Sequence, residues 1–152
     1  MALLLLLLVA LLTPQQQTAS PRPAPAAQPP LAAPASSALD YQFFKTRVQP
    51  IFLKKRPGNA RCIVCHETGA PRLQPLPEGQ TMWDEEASRK NFDAWSRVVT
   101  PGSEKSRLLM HPLAASAGGD PFHAGGKHWT SKSDPEWQTL LAWVNGAKGD
   151  GK

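Results

Sequence analysis

The chain contains only two cysteines, Cys62 and Cys65, and a histidine, His66, directly follows the second. Whatever these groups hold must be built into the surrounding core, so Cys62-Ile63-Val64-Cys65-His66 constrains the fold more than any other stretch. A redox dithiol of this spacing belongs at the start of a helix after a strand, inside a βαβ pattern, and no segment here alternates as a convincing strand. A structural disulfide between the two would close a tiny loop and add little stability by chain entropy. Zinc can take Cys62, Cys65 and two histidines in a tetrahedral site. That leaves the position of His66 unexplained, because adjacent side chains rarely converge on one metal. Covalent haem attachment accounts for every position. Two thiols on one helical turn bond the two vinyl groups along a porphyrin edge, and the next imidazole reaches the iron from the proximal face.

The N-terminus points to an oxidising compartment. Residues 2–12 are uninterruptedly apolar, too short a run for a spanning helix, which needs about 20 residues. It suits the apolar region of a secretory signal. We read residues 1–20 as a signal peptide, which makes the protein periplasmic or otherwise exported, and membrane-tethered if that segment is retained. Residues 21–38 are dominated by Pro and Ala without apolar periodicity, and read as an extended, disordered tether. Residues 39–152 then form one domain. The formal charge of +5 is spread out, with Lys54-Lys55-Arg56 as the only run of three basic residues. That pattern gives no support to nucleic-acid binding.

Four helices are expected in the domain. The first starts after the N-cap Asp40 and carries Phe44, Val48, Ile51 and Phe52 on one face, with a kink or break at Pro50. Residues 84–99 form an acidic-started helix with Phe92, Trp95, Val98 and Val99 toward the core. A short helix spans residues 103–111. The last begins with a capping box over Ser133-Asp134-Pro135-Glu136, carries Trp137, Leu140, Leu141 and Val144, and closes at Gly146. The class is mainly α with long Gly/Pro-rich loops. Trp95, Trp137 and Trp143 are core residues, and Trp129 lies in the loop before the last helix.

The helix leading into the haem motif, the stretch VTPGSEKSRLLMHPL, the Gly-rich loop and the terminal EWQTLLAWVNGA together resemble the monohaem cytochrome c domains of planctomycete and acidobacterial type. These are distant relatives of class I cytochrome c. The resemblance covers about residues 40–147. It implies a cytochrome c-like helical fold around one covalent haem c, with the N- and C-terminal helices packed together. Such domains commonly carry a Met-Pro sixth-ligand loop. This chain has GGDPFHAGGKHW at the equivalent place, with no Met. Aligned back from the last helix, His123 takes the Met position.

His66 and His123 are thus the expected axial pair, with His111 and Met110 as alternatives for the sixth ligand. Met110 reads as a core residue, and His111, at a helix end, as a cap for carbonyls. Arg61 and Lys127 are candidate propionate contacts, and His128 a supporting residue beside Lys127 and Trp129. The function expected is single-electron transfer between a redox donor and acceptor, including a membrane-bound electron-transfer complex. No catalytic residue is assigned, and Glu67 is too close to His66 to serve as a distal acid. Two alternatives stand. An open distal site would make a haem enzyme or gas sensor of peroxidase-like chemistry, and a Cys/His zinc site would make a structural module.

Overall fold

The structure, a computed structural model, describes residues 39–150; the expected signal segment, the tether and the last two residues lie outside them. Helices α1 (Tyr41–Phe43) and α2 (Gln49–Leu53) are joined by a π-helical turn over Phe44–Val48. They are followed by α3 (Cys62–His66), α4 (Glu85–Ser96), α5 (Arg107–Met110), a 3-10 turn (Ala115–Ala117) and α6 (Pro135–Val144). The protein is mainly α. Two isolated bridges, Arg56–Asn59 and Leu113–Trp129, are the only sheet-like pairings among the described residues.

Asp40 caps the first helix through Phe43 N–H at 2.7 Å. The distortion expected at Pro50 takes the form of the wide turn just before it rather than a break. Gln49 N–H reaches back to Phe44 O, and the register shift accommodates a residue that has no N–H to donate. Phe44, Val48, Ile51 and Phe52 are all buried, as their spacing predicts. In α4 the cap is Asp84, which accepts from Ala87 N–H. Phe92, Trp95 and Val99 are buried, while Val98 is half-buried.

Three boundaries differ from expectation, the first being α4, which ends at Ser96 and not at residue 99. The helix expected over residues 103–111 shrinks to one turn, because Ser106 is buried and bonds back to both backbone groups of Thr100. The cap of α6 is Asp134, not Ser133. Its carboxylate accepts from Glu136 and Trp137 N–H and places Pro135 first in the helix, where a missing N–H costs nothing.

First and last helices pack on each other. Trp143 of α6 lies 5.1 Å from the Phe44 ring, and its Nε1–H donates to Asp40 O at 3.0 Å. Loops also supply core. Leu73 and Leu113 are fully buried, and Trp83 donates to Gln74 O at 2.8 Å. Gln74 N–H in turn donates to the buried Asn91 at 2.7 Å. The long segment between α3 and α4 is therefore pinned against the helices, and one side of the domain is left as a cavity. Among the described residues no helix is long and apolar enough to cross a membrane.

Candidate functional site

Both cysteines and all four histidines of the chain line this one cavity, of about 300 Å³. Its remaining wall is largely apolar and includes Phe52, Trp95, Val98, Leu108, Phe122 and Trp129.

The motif itself forms α3, a single turn that brings Cys62, Cys65 and His66 to the cavity edge. The two thiols are not joined to each other. Cys65 is exposed, whereas Cys62 is half-buried. Burial pushes the Cys62 thiol pKa up, against the pull of the adjacent Arg56 guanidinium. His66 Nδ1–H donates to Pro71 O at 2.8 Å. A carbonyl can only accept, so the proton is on Nδ1 and Nε2 keeps its lone pair. Leu73 N–H donates to His66 O at 2.7 Å and fixes the backbone. Trp95 supports the ring edge-on at 4.9 Å, and is itself packed on Phe52 at 4.2 Å.

His123 enters from the opposite wall in the same state. Its Nδ1–H donates to Gly126 O at 2.6 Å, again leaving Nε2 as the free nitrogen. The His66 and His123 rings have centroids 6.5 Å apart and planes 24° from parallel. An imidazole nitrogen bonds a first-row metal at about 2.0–2.1 Å, so two rings on opposite sides of one ion put their centroids roughly 6 Å apart. Burial is the first cause that lowers the pKa of both rings, and it favours the neutral form a metal ligand needs. Orienting the ring through the other nitrogen is the usual support for such a ligand.

The remaining candidates divide. His111 lines the cavity but does not cap carbonyls; its Nδ1 faces Asp120 Oδ2 at 3.0 Å. Met110 is half-buried on α5 and not part of the wall. Arg61 is exposed at the rim. Lys127 lies outside the wall; its Nζ donates to the carbonyls of His111 and Asp120 and braces the backbone there. His128 is on the wall, with its pKa pushed down to about 4, first by burial and then by Arg56.

The residue missed by sequence reasoning is Arg56. Read from sequence only as part of a consecutive basic run, it is 9% exposed. It pairs with Glu136 at the start of α6 and lies 5.5 Å from the Trp129 ring centre. Only its position, directly ahead of Pro57-Gly58-Asn59 and the motif, hinted at a structural role.

Two buried polar atoms on the wall, Trp95 Nε1 and His128 Nδ1, have no partner within the protein. An occupant suited to this cavity is therefore mostly apolar, offers polar groups at its edge, and takes one imidazole on each side. Among the described residues no group of three or more His, Cys, Asp or Glu side chains is placed to hold a metal ion. No protein family, curated protein or solved structure matches the chain.

Proposed function

We propose that this chain is a monohaem c-type cytochrome that passes single electrons between redox partners. The observation that carries the reading is the pair of near-parallel imidazoles 6.5 Å apart, with both thiols at the edge of the same apolar cavity. Haem c, the fold and the roles of residues belong to this reading together. Cys62 and Cys65 hold the group through thioethers, and His66 and His123 serve as axial ligands. Trp95 and His128 meet its polar edge, and Arg61 stands at the rim near the propionates. The packing of first on last helix through Phe44 and Trp143 supports a cytochrome c-like arrangement.

When bound, the haem supplies a one-electron couple. The protein keeps both imidazoles oriented by backbone carbonyls, so little has to move as charge changes. Apolar walls exclude water and shape the potential, which with two imidazoles lies below that of a His/Met carrier. With both axial places filled, the chain is a carrier rather than an enzyme. An exported protein with a tether, working between a donor and an acceptor, gains effective concentration beside a membrane-bound complex.

The test is production of the full chain in a host that attaches haem c, followed by metal analysis and low-temperature electron paramagnetic resonance of the oxidised form. We expect one iron per chain and a low-spin bis-imidazole signal that turns high-spin in His123→Ala. Zinc without iron refutes the reading. A His/Met signal moves the sixth ligand to Met110 and refutes the role of His123.

A further inference from the structure

The ion pair behind the cavity has no part in attaching or ligating the cofactor. Arg56 is the one charged side chain among the described residues that is buried. Its guanidinium donates to Ile51 O at 3.2 Å and to Glu136, and stands 5.5 Å from the Trp129 ring centre. It also lies beside the Cys62 thiol. Cys62 and Trp129 both belong to the cavity wall, so these two side chains stand between the charge and the cavity.

The charges are layered. Lys54 is largely exposed and bonds one carboxylate oxygen of Glu136 at 2.7 Å. Glu136 is more enclosed, and Arg56 is the most enclosed of the three. With the Cys62 thiol beside it, the cation is the member of the pair nearer the cavity, and it acts on that thiol more strongly than the carboxylate does. The two other arginines at the cavity, Arg61 and Arg107, are exposed, where water and salt screen them. Replacing a buried pair by apolar residues of similar volume is often neutral or stabilising. Packing alone therefore gives no reason for a charge at this place.

Resting on the cytochrome reading, we propose that Arg56 raises the reduction potential set by the axial pair. Its fixed positive charge, enclosed behind the Cys62 edge of the cavity, favours the state with one more electron on the iron. Glu136, on the far side of the guanidinium, moderates that effect. The electron comes from the donor, no proton accompanies it, and no bond is made or broken. A unit charge about 10 Å away through an effective dielectric near 20 changes a one-electron equilibrium by about tenfold. The pair is thus an electrostatic adjustment built outside the axial residues, and it joins the start of the last helix to the turn that leads into the motif.

The test is a spectroelectrochemical titration of the haem-loaded full chain at neutral pH and fixed salt. It compares wild type with Arg56→Met, Arg56→Lys, Glu136→Gln and the double variant Arg56→Met/Glu136→Gln. Haem content is read separately from the alkaline pyridine spectrum. A wild type that loads no haem refutes the cytochrome reading, whereas the outcomes below bear on Arg56 alone. Arg56→Met makes reduction by a fixed donor about tenfold less favourable, and Glu136→Gln makes it several-fold more favourable. Arg56→Lys keeps the charge and stays within about twofold of wild type. A pair with a structural role alone admits water when either partner is removed, and shifts both single variants the same way. If a single variant does not load haem, the double variant decides: it lies below wild type, because the nearer charge is lost along with the farther one. Single variants that move in the same direction, changes under about twofold in both, an Arg56→Lys that falls as far as Arg56→Met, or a double variant at or above wild type overturns the proposal.

Discussion

Replacing Glu136 with Gln strands a buried cation. The carboxylate receives Lys54 Nζ at 2.7 Å, Arg56 Nε at 2.8 Å and Arg56 Nη2, and Trp129 Nε1 at 3.4 Å. The amide offers at most one neutral acceptor in its place, and the guanidinium otherwise has only Ile51 O at 3.2 Å and Lys54 O at 3.4 Å. Removing one partner of a buried ion pair costs about 3–5 kcal/mol. The side chains of Arg56 and Glu136 are 10% and 18% exposed, and the two carbonyls stay, so the lower end applies, about 3 kcal/mol. That is a large share of the 5–15 kcal/mol typical of a domain's stability. The assay is urea unfolding of wild type, Glu136→Gln, Arg56→Met and the double variant, followed by tryptophan fluorescence. The double variant should recover most of the loss, because no unpaired charge is then buried. A loss under about 1 kcal/mol for Glu136→Gln, the worth of a surface pair, refutes the reasoning. So does a double variant that is simply additive. Burial raises the Glu136 pKa, but Lys54 and Arg56 outweigh it and hold it below the usual value. The pair's stability is therefore full above the ordinary carboxylate pKa and lost as pH falls through the folded value.

Two further outcomes are expected. In Gly119→Ala, the new Cβ falls on Leu113 O and lies 2.6 Å from its carbonyl carbon. Backbone of this kind cannot step aside, so a loss of roughly 1–3 kcal/mol or more is expected in thermal unfolding, and a wild-type melting temperature would contradict the packing. Acid should also destabilise the haem-free chain in which both cysteines are Ala. His66, His123 and His128 all have pKa values lowered first by burial, His128 from 6.5 to about 4. Between those values the unfolded state binds more protons, so stability is full above about 6.5 and is lost as pH falls toward 4. Discounted for the solvent that reaches a half-buried ring, His128 contributes about 1–2 kcal/mol. Urea midpoints that match at pH 7 and pH 4.5 would rule this out.

What sequence shows well here is local. Asp40, Asp84 and the Trp137–Val144 spacing announce helices because caps and apolar periodicity act within a few residues, and the Cys62–His66 stretch is local for the same reason. Ser133 was a worse cap than Asp134 because Pro135 fits only as the first helical residue, and either residue satisfies the pattern on paper. Arg56 could not be read as buried, since what buries it is Glu136, far along the chain. Leu73, Trp83 and Leu113 were hidden in Pro- and Gly-rich loops without any period to reveal them. His111 read as a helix cap because its actual partner, Asp120, lies across a loop whose course composition does not determine.

The two walls of the cavity are held by different parts of the chain, and this asymmetry decides which face can change. On one wall, His66 is fixed by Pro71 O through its ring and by Leu73 N–H through its backbone, with Trp95 against its edge. Leu73 and Trp95 are themselves core residues, so displacing His66 means opening the core. On the other wall, His123 hydrogen-bonds only to Gly126 among the described residues, within its own short segment. The scaffold of His111, Asp120 and Lys127 stands behind it, independent of it. Any perturbation that loosens one wall of the cavity, whether acid or a loop substitution, therefore releases His123 before it disturbs His66 and the two thiols.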